Sequence, residues 1–132
     1  MDEKSLDNGG NDPCLVVSTA SSREEASLLA RTLVEEELAA CCTIIPGALS
    51  VFRWEGDVQE AVEQVLLIKT TISVFPALEQ RIRALHSYHV PEILALNIGR
   101  ISDPYLQWLA SCVSHPEARG ASKPAQSTQD QN

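Results

Sequence analysis

The chain has 132 residues, a length suited to one domain, and 44% of them are hydrophobic, which is enough to form a core. Its formal net charge is −8, and its 10 lysines and arginines are scattered, so nucleic-acid binding is disfavoured because phosphate contacts need clustered basic residues. No apolar run approaches the roughly 20 residues of a membrane span. The polar N-terminus lacks the apolar stretch of a signal peptide, so we expect reduced cysteines and a cytoplasmic location.

Both ends of the chain are predicted to be disordered. Apart from the initial methionine, residues 1–13 contain one large apolar residue, Leu6, and residues 114–132 contain none. Such segments cannot bury enough surface to offset the loss of chain entropy on folding. The folded domain is therefore expected to span residues 14–113.

The domain begins with a predicted strand and a predicted helix. Residues 14–19 form a short apolar run with β-branched members, which is typical of a buried strand. Ser22 and Glu25 fit a capping box, in which the serine oxygen and the carboxylate satisfy amides at the start of a helix. Apolar residues at helical spacing continue this pattern to about Leu38.

A β-hairpin is predicted to follow. Residues 41–45 and 48–54 have strand character, and Pro46-Gly47 between them indicates a bend or bulge because proline cannot donate to a sheet ladder. After a turn, residues 61–70 supply the second strand of the hairpin.

Two more helices and one more strand complete the predicted order. Ser73 is predicted to cap a helix that carries Pro76 in its first turn. Residues 92–98 are predicted to form a strand. Asp103 is predicted to cap a third helix, with Pro104 as its first residue. The order βαββαβ plus a C-terminal helix predicts an α+β, ferredoxin-like fold with an antiparallel sheet.

The strand at 61–70 poses a packing problem, because large aliphatic residues occupy both of its faces. A sheet covered on one side only would alternate apolar with polar residues. Burying a Leu or Val side chain is worth about 1.5–3 kcal/mol, so a bare aliphatic face is disfavoured. The covering element is either another part of this chain or another subunit. Because the predicted helices are few and short, we expect an oligomer that packs sheet against sheet.

Several motifs resemble those of the CutA family, which is named for divalent-cation tolerance. They lie in the stretches CCTIIPGALSVFRWEGDVQEAVEQVLLIKT, HSYHVPEILALNI and YLQWL, and the match runs from about Val16 to Leu109. The resemblance implies a ferredoxin-like subunit, a tight homotrimer, a likeness to PII signalling proteins, and a link to copper and other divalent metals. Ser18 stands where some copper-linked members of the family have a cysteine.

Cys41 is the first candidate metal ligand, because it matches the recurring cysteine of the family and because thiolate suits Cu(I). The side chain of the adjacent Cys42 is expected on the opposite face of the strand, so the two thiols are poor joint ligands. The alternative is that Cys41 serves as a small buried apolar residue.

His86 and Glu92 are the other candidate metal ligands, in the stretch LHSYHVPEIL. His86 and His89 are three residues apart, but Pro91 predicts that the helix ends before His89, so the two rings need not converge. We expect His86, with Cys41 or Glu92, at a subunit boundary. The alternative is that His86 completes a helix C-terminus without metal.

A third set of residues is predicted to line a pocket between subunits for a small anion or a metal ion. Its members are Trp54, Glu63, Lys69, Tyr88 and Trp108. Glu63 and Lys69 share one face of their strand, and charges buried at an interface must be paired. The alternative is a salt-bridge network that fixes the register of the trimer.

No enzyme is predicted, because the sequence has neither a P-loop nor a glycine-rich dinucleotide turn. The favoured function is that of a non-enzymatic homotrimer involved in divalent metal (copper) binding, tolerance or response. The alternatives are a PII-like signalling module that binds a small anionic ligand between subunits, and a scaffold whose trimer is its only structural role.

Overall fold

The structure, a computed structural model, describes residues 12–114. Two tails were predicted to be disordered, residues 1–13 and 114–132. Most of each tail lies outside the described residues. The elements follow in the order β1 (Pro13–Ala20), α1 (Arg23–Glu35), β2 (Cys41–Trp54), β3 (Asp57–Thr71), α2 (Phe75–Leu85), β4 (Leu94–Asn97) and α3 (Asp103–Cys112).

The four strands form one antiparallel sheet in the order β2-β3-β1-β4. This order, with its helices between and after the strands, confirms the α+β, ferredoxin-like arrangement with an additional C-terminal helix. Between residues 12 and 114, no helix is long and apolar enough to cross a membrane.

The starts of the three helices test the predicted caps. The Ser22 hydroxyl accepts from the Glu25 amide at 3.0 Å, as predicted. The caps predicted at Ser73 and Asp103 are wrong. Val74 is the N-cap of α2, because a turn that bonds the Val74 amide to the Thr71 carbonyl delays the helix by one residue. Ser102 caps α3, and Asp103 is its first helical residue, where a carboxylate complements the helix dipole.

Two predicted ends were also misplaced. α1 ends at Glu35 rather than near Leu38, because Glu37 takes a left-handed backbone with φ 62° and ends the helix. The last strand is shorter than the predicted 92–98, since only Leu94–Asn97 pairs with β1.

The β2–β3 hairpin is long, and its outer half projects from the sheet. The register of the two strands shifts between Ile45 and Ala48, which confirms an irregularity at Pro46-Gly47. At the tip, Trp54 pairs with Asp57 across Glu55 and Gly56, both of which have positive φ, as a two-residue hairpin turn requires. Every residue from 51 to 60 is exposed.

The core lies between the helices and one face of the sheet. Val16, Leu66 and Ile68 supply the sheet side and are essentially inaccessible to solvent. The helix side is supplied by Leu29, Leu33, Leu78, Ile82 and Leu109.

The opposite face of the sheet is also aliphatic, and we call it the open face. Along β1 the residues alternate between buried and half-buried, so Leu15 and Val17 point away from the helices. The strand register places Leu67 of β3 and Leu94 and Leu96 of β4 beside them. Leu94 and Leu96 are 54% and 48% exposed. The described part of one subunit therefore leaves this face without the cover that an aliphatic surface favours.

Candidate functional site

A cavity of about 580 Å³ lies between the β2–β3 hairpin and the segment that follows α2. We call this segment, residues 86–93, the connector. The cavity is lined by Thr19, Ser50, Val51, Phe52, Trp54, Gln59, Glu63, Tyr88, His89, Val90 and Glu92. Its size lies within the usual range for small-molecule pockets.

A tyrosine and a carboxylate form a part-buried hydrogen bond in the cavity. The Tyr88 hydroxyl donates to Oε2 of Glu63 at 2.8 Å, and Glu63 is 8% exposed. Burial and the bond to Glu63 raise the pKa of Tyr88 to about 12. At neutral pH the phenol therefore keeps its proton and remains a donor to Glu63.

His86 holds the connector against the end of β1. Its Nε2 lies 2.6 Å from the Thr19 carbonyl oxygen, and the Tyr88 amide lies 3.0 Å from its Nδ1. A carbonyl can only accept and an amide N–H can only donate, so Nε2 carries the proton and Nδ1 accepts. The His86 ring also lies against the Tyr88 ring, with centroids 4.8 Å apart. His86 thereby sets the direction of Tyr88 towards Glu63.

Glu25 ties the connector to the start of α1. Its Oε2 accepts from the Ser87 amide at 2.7 Å, and its Oε1 accepts from the amide and the hydroxyl of Ser21. Burial alone would raise the pKa of Glu25, but the hydrogen bonds from Ser87 and Ser21 outweigh it and leave the pKa below its ordinary value. The carboxylate is therefore the form that holds the connector.

A second polar cluster lies near the C-terminal end of β3. The Lys69 ammonium donates to the Thr43 hydroxyl at 2.7 Å and lies 3.7 Å from the Cys41 sulfur. Cys41 pairs with Lys69 in the sheet register, whereas Ala48 pairs with Glu63. Six residues of strand separate Glu63 from Lys69, which is roughly 20 Å at about 3.3 Å per residue. The cluster is therefore distinct from the cavity.

The neighbouring thiol Cys42 has a different environment. It is packed against the core on the helix side of the sheet, and burial raises its pKa to about 12. A protonated thiol is a poor metal ligand, since the thiolate is the form that binds.

The three predicted metal ligands do not meet within one subunit. Cys41 lies beside Lys69, Glu92 lines the cavity, and His86 uses both ring nitrogens in hydrogen bonds. Across residues 12–114, no group of three or more His, Cys, Asp or Glu side chains could hold a metal ion. His89 is exposed and lines the cavity, whereas the His86 side chain is fully buried.

The predicted pocket residues divide into two groups. Trp54, Glu63 and Tyr88 line the same cavity. Lys69 lies with Cys41 and Thr43, and Trp108 packs against Tyr105 on α3, with ring centroids 5.3 Å apart. The sequence reasoning missed Phe52, although its position two residues before Trp54 places both on one face of a strand.

Comparison with known proteins agrees with the fold and its motifs. The family model described as CutA1 divalent ion tolerance protein matches residues 14–112. The divalent-cation tolerance protein CutA of Thermus thermophilus is 50% identical over 95 residues, which cover 72% of this chain and 92% of that protein. The chain belongs to the CutA1 divalent ion tolerance family.

Two further comparisons show how far the likeness extends. The solved structure of the divalent cation tolerance protein Cut A1 from Thermus thermophilus superimposes with a TM-score of 0.76 at 47% identity, and the match covers 77% of this chain and 99% of that chain. The chloroplastic protein CutA of Arabidopsis thaliana is 47% identical over 98 residues, which cover 74% of this chain but 54% of that protein. Neither relative has the name of an enzyme.

Proposed function

We propose that the chain is a non-enzymatic homotrimer that binds divalent metal ions, copper among them, as part of metal tolerance or response. Membership of the CutA1 family supports a role in divalent-cation tolerance. The single structural observation that carries the proposal is the open face of the sheet, which one subunit leaves uncovered between residues 12 and 114.

In the proposed trimer, metal ligands from different subunits can meet at one site. Cys41 belongs to the same side of the sheet as Leu67 and Lys69, so the copies that cover the open face also approach this thiol. A ligand from a second copy can complete a site that one subunit cannot. His86 must give up a hydrogen bond to bind metal, so Cys41 and Glu92 are the first ligands to test.

Titration with copper and zinc, followed by calorimetry, tests the metal proposal. We expect Cys41→Ser to weaken copper binding by more than tenfold, because a thiolate is a stronger ligand for copper than a hydroxyl. Cys112→Ser is the matched control, since that half-buried thiol lies on α3. Equal copper affinity of the two variants, with trimers intact, contradicts a role for Cys41.

The PII-like alternative has one observation in its favour. The Lys69 ammonium is half-buried beside the open face, where a small anion held between subunits would find a positive charge. Titration with nucleotides tests this alternative, and Lys69→Ala should abolish any binding that depends on that charge. Binding that persists in Lys69→Ala rules out this residue as the anion's partner.

We also propose a cytoplasmic location. All four cysteines are free, which suits a reducing compartment. Cell fractionation tests this location, and recovery of the protein outside the cytoplasm contradicts it.

A further inference from the structure

The charge of the cavity differs from that of an anion site. Glu63 and Glu92 contribute two carboxylates to its wall, and no lysine or arginine is among the described lining residues. Among the lining residues that the structure describes, the one basic side chain is the imidazole of His89. The formal net charge of −8 for the whole chain adds to the attraction of cations.

Glu63 is the buried carboxylate of the cavity wall. It is 8% exposed, and within residues 12–114 its carboxylate has one hydrogen-bond partner, the uncharged hydroxyl of Tyr88. Burying a carboxylate without a paired positive charge is unfavourable. A ligand with an N–H donor and a positive charge satisfies Oε1 of Glu63, while Tyr88 continues to hold Oε2.

The rest of the wall is apolar and aromatic. Phe52, Trp54 and Tyr88 present rings to the cavity, and Val51 and Val90 add aliphatic surface. Aromatic faces attract ammonium and guanidinium groups, and an apolar wall favours a ligand with a hydrocarbon part. A bare metal ion does not match this wall, because the described residues contain no group of three metal-ligating side chains.

We propose that this cavity binds a small organic cation, a primary ammonium or guanidinium attached to an apolar group, which pairs with Glu63. The cavity shares Glu92 with the proposed metal ligands, but the copper test substitutes Cys41, which pairs with Lys69, six positions along β3 from Glu63. Failure of the cation proposal therefore leaves the copper titration unaffected, and failure of copper binding leaves the cavity unaffected.

A series of three ligands of similar size tests the charge preference in the intact, metal-free protein. The probes are 2-phenylethylamine, 2-phenylethanol and phenylacetate, which are cationic, neutral and anionic at neutral pH. Tryptophan emission reports binding, in a Trp108→Phe background where Trp54 on the cavity wall is the sole tryptophan. We expect the amine to bind at least tenfold more tightly than the alcohol, and the carboxylate more weakly still.

Glu63→Gln removes the charge and keeps an oxygen that can accept from Tyr88. We expect it to weaken amine binding by about tenfold or more and to leave the alcohol unchanged. Glu60→Gln is the matched control, because Glu60 is exposed on the same strand and does not line the cavity. If Glu63→Gln does not fold, Tyr88→Phe and Glu92→Gln replace it, with a weaker loss expected for each.

Three results overturn the proposal. They are equal binding of amine and alcohol, equal amine affinity of Glu63→Gln and Glu60→Gln, and the absence of amine binding at millimolar concentration. The last result would show that another part of the assembled protein already fills the cavity.

Discussion

His86 has both of its ring nitrogens engaged by backbone groups, and this fixes its chemistry. Because Nε2 donates to the Thr19 carbonyl and Nδ1 accepts from the Tyr88 amide, the ring links β1 to the connector. Three residues further on, His89 is exposed. We therefore expect His86 to contribute to the stability of the fold and His89 to contribute little.

Replacement of each histidine tests this difference. His86→Ala leaves the Thr19 carbonyl and the Tyr88 amide without their partner, so we expect it to lower the free energy of unfolding by about 1–3 kcal/mol. His89→Ala should change that free energy by less than about 0.5 kcal/mol, as is usual for a surface substitution. Urea denaturation measures both variants. Equal effects would show that His86 does not brace the connector.

Glu25 predicts how stability depends on pH. Its folded-state pKa lies below the ordinary value, because hydrogen bonds to the carboxylate outweigh burial. Its contribution to stability is therefore present above the ordinary glutamate pKa of about 4.3 and is lost as the pH falls through the lowered folded-state pKa.

Glu25→Gln should consequently flatten the acid limb of the stability curve below about pH 4.3. Glu24→Gln is the control, because Glu24 occupies the same first turn of α1 and is exposed. Thermal unfolding between about pH 2 and pH 7 measures the difference. An acid limb of unchanged slope in Glu25→Gln would contradict the role assigned to its carboxylate.

At the scale of elements, the β2–β3 hairpin decides where the cavity is. Its outer half extends beyond the sheet. This half begins at the register shift between Ile45 and Ala48 and ends at the two-residue turn at Glu55-Gly56. Trp54 and Phe52 lie on this outer half and form one wall of the cavity. The shape of the turn therefore bears on the site as well as on the strand pairing.

Gly56→Ala tests the turn. Gly56 has φ +88°, where a residue with a side chain is strained even though the space around it is open. We therefore expect Gly56→Ala to lower the free energy of unfolding by about 1 kcal/mol. Gly99→Ala is the control, because Gly99 has open space and no such positive φ. Urea denaturation compares the two, and equal stabilities would show that the tip does not require glycine.

Periodicity and turn residues predicted every element between residues 12 and 114, and the errors in caps and ends have local causes. Asp103 was predicted as the cap of α3 in place of Ser102, because aspartate is also a good capping residue and Asp103 precedes Pro104. Residues 57–60 were not predicted as strand, since their outer segment buries neither face and so shows no apolar alternation.

The site was less predictable than the fold. Trp54, Glu63 and Tyr88 were expected together and do meet, but Lys69 was grouped with Glu63 on the basis of a shared strand face. Alternation along a strand identifies the face and not the distance, and the two residues lie six positions apart along β3, which is roughly 20 Å at about 3.3 Å per residue. The contact from Tyr88 to Glu63 spans 25 residues and depends on how His86 holds the connector.

At the scale of the whole molecule, the open face is the feature that requires an explanation. The core has cover from three helices, while Leu15, Val17 and Leu67 on the other side remain half-buried. Each such side chain gains about 1.5–3 kcal/mol on full burial. In the homotrimer that we propose, neighbouring copies supply that burial and also bring together ligands that one subunit keeps apart.

A charge on the open face should therefore prevent assembly. We expect Leu96→Glu to dissociate the trimer, because a carboxylate would be buried there without a partner. Leu28→Glu is the control, since Leu28 is similarly exposed, at 55%, but lies on α1. Size-exclusion chromatography with light scattering measures both, and a trimer of Leu96→Glu as stable as the control would place the interface elsewhere.

Sedimentation equilibrium of the unmodified chain at micromolar concentration is the most direct measurement of this assembly. The proposed homotrimer predicts a mass three times the 14.4 kDa of one chain, without dissociation on tenfold dilution. A folded species of 14.4 kDa would contradict it, because the open face would then be stable in water.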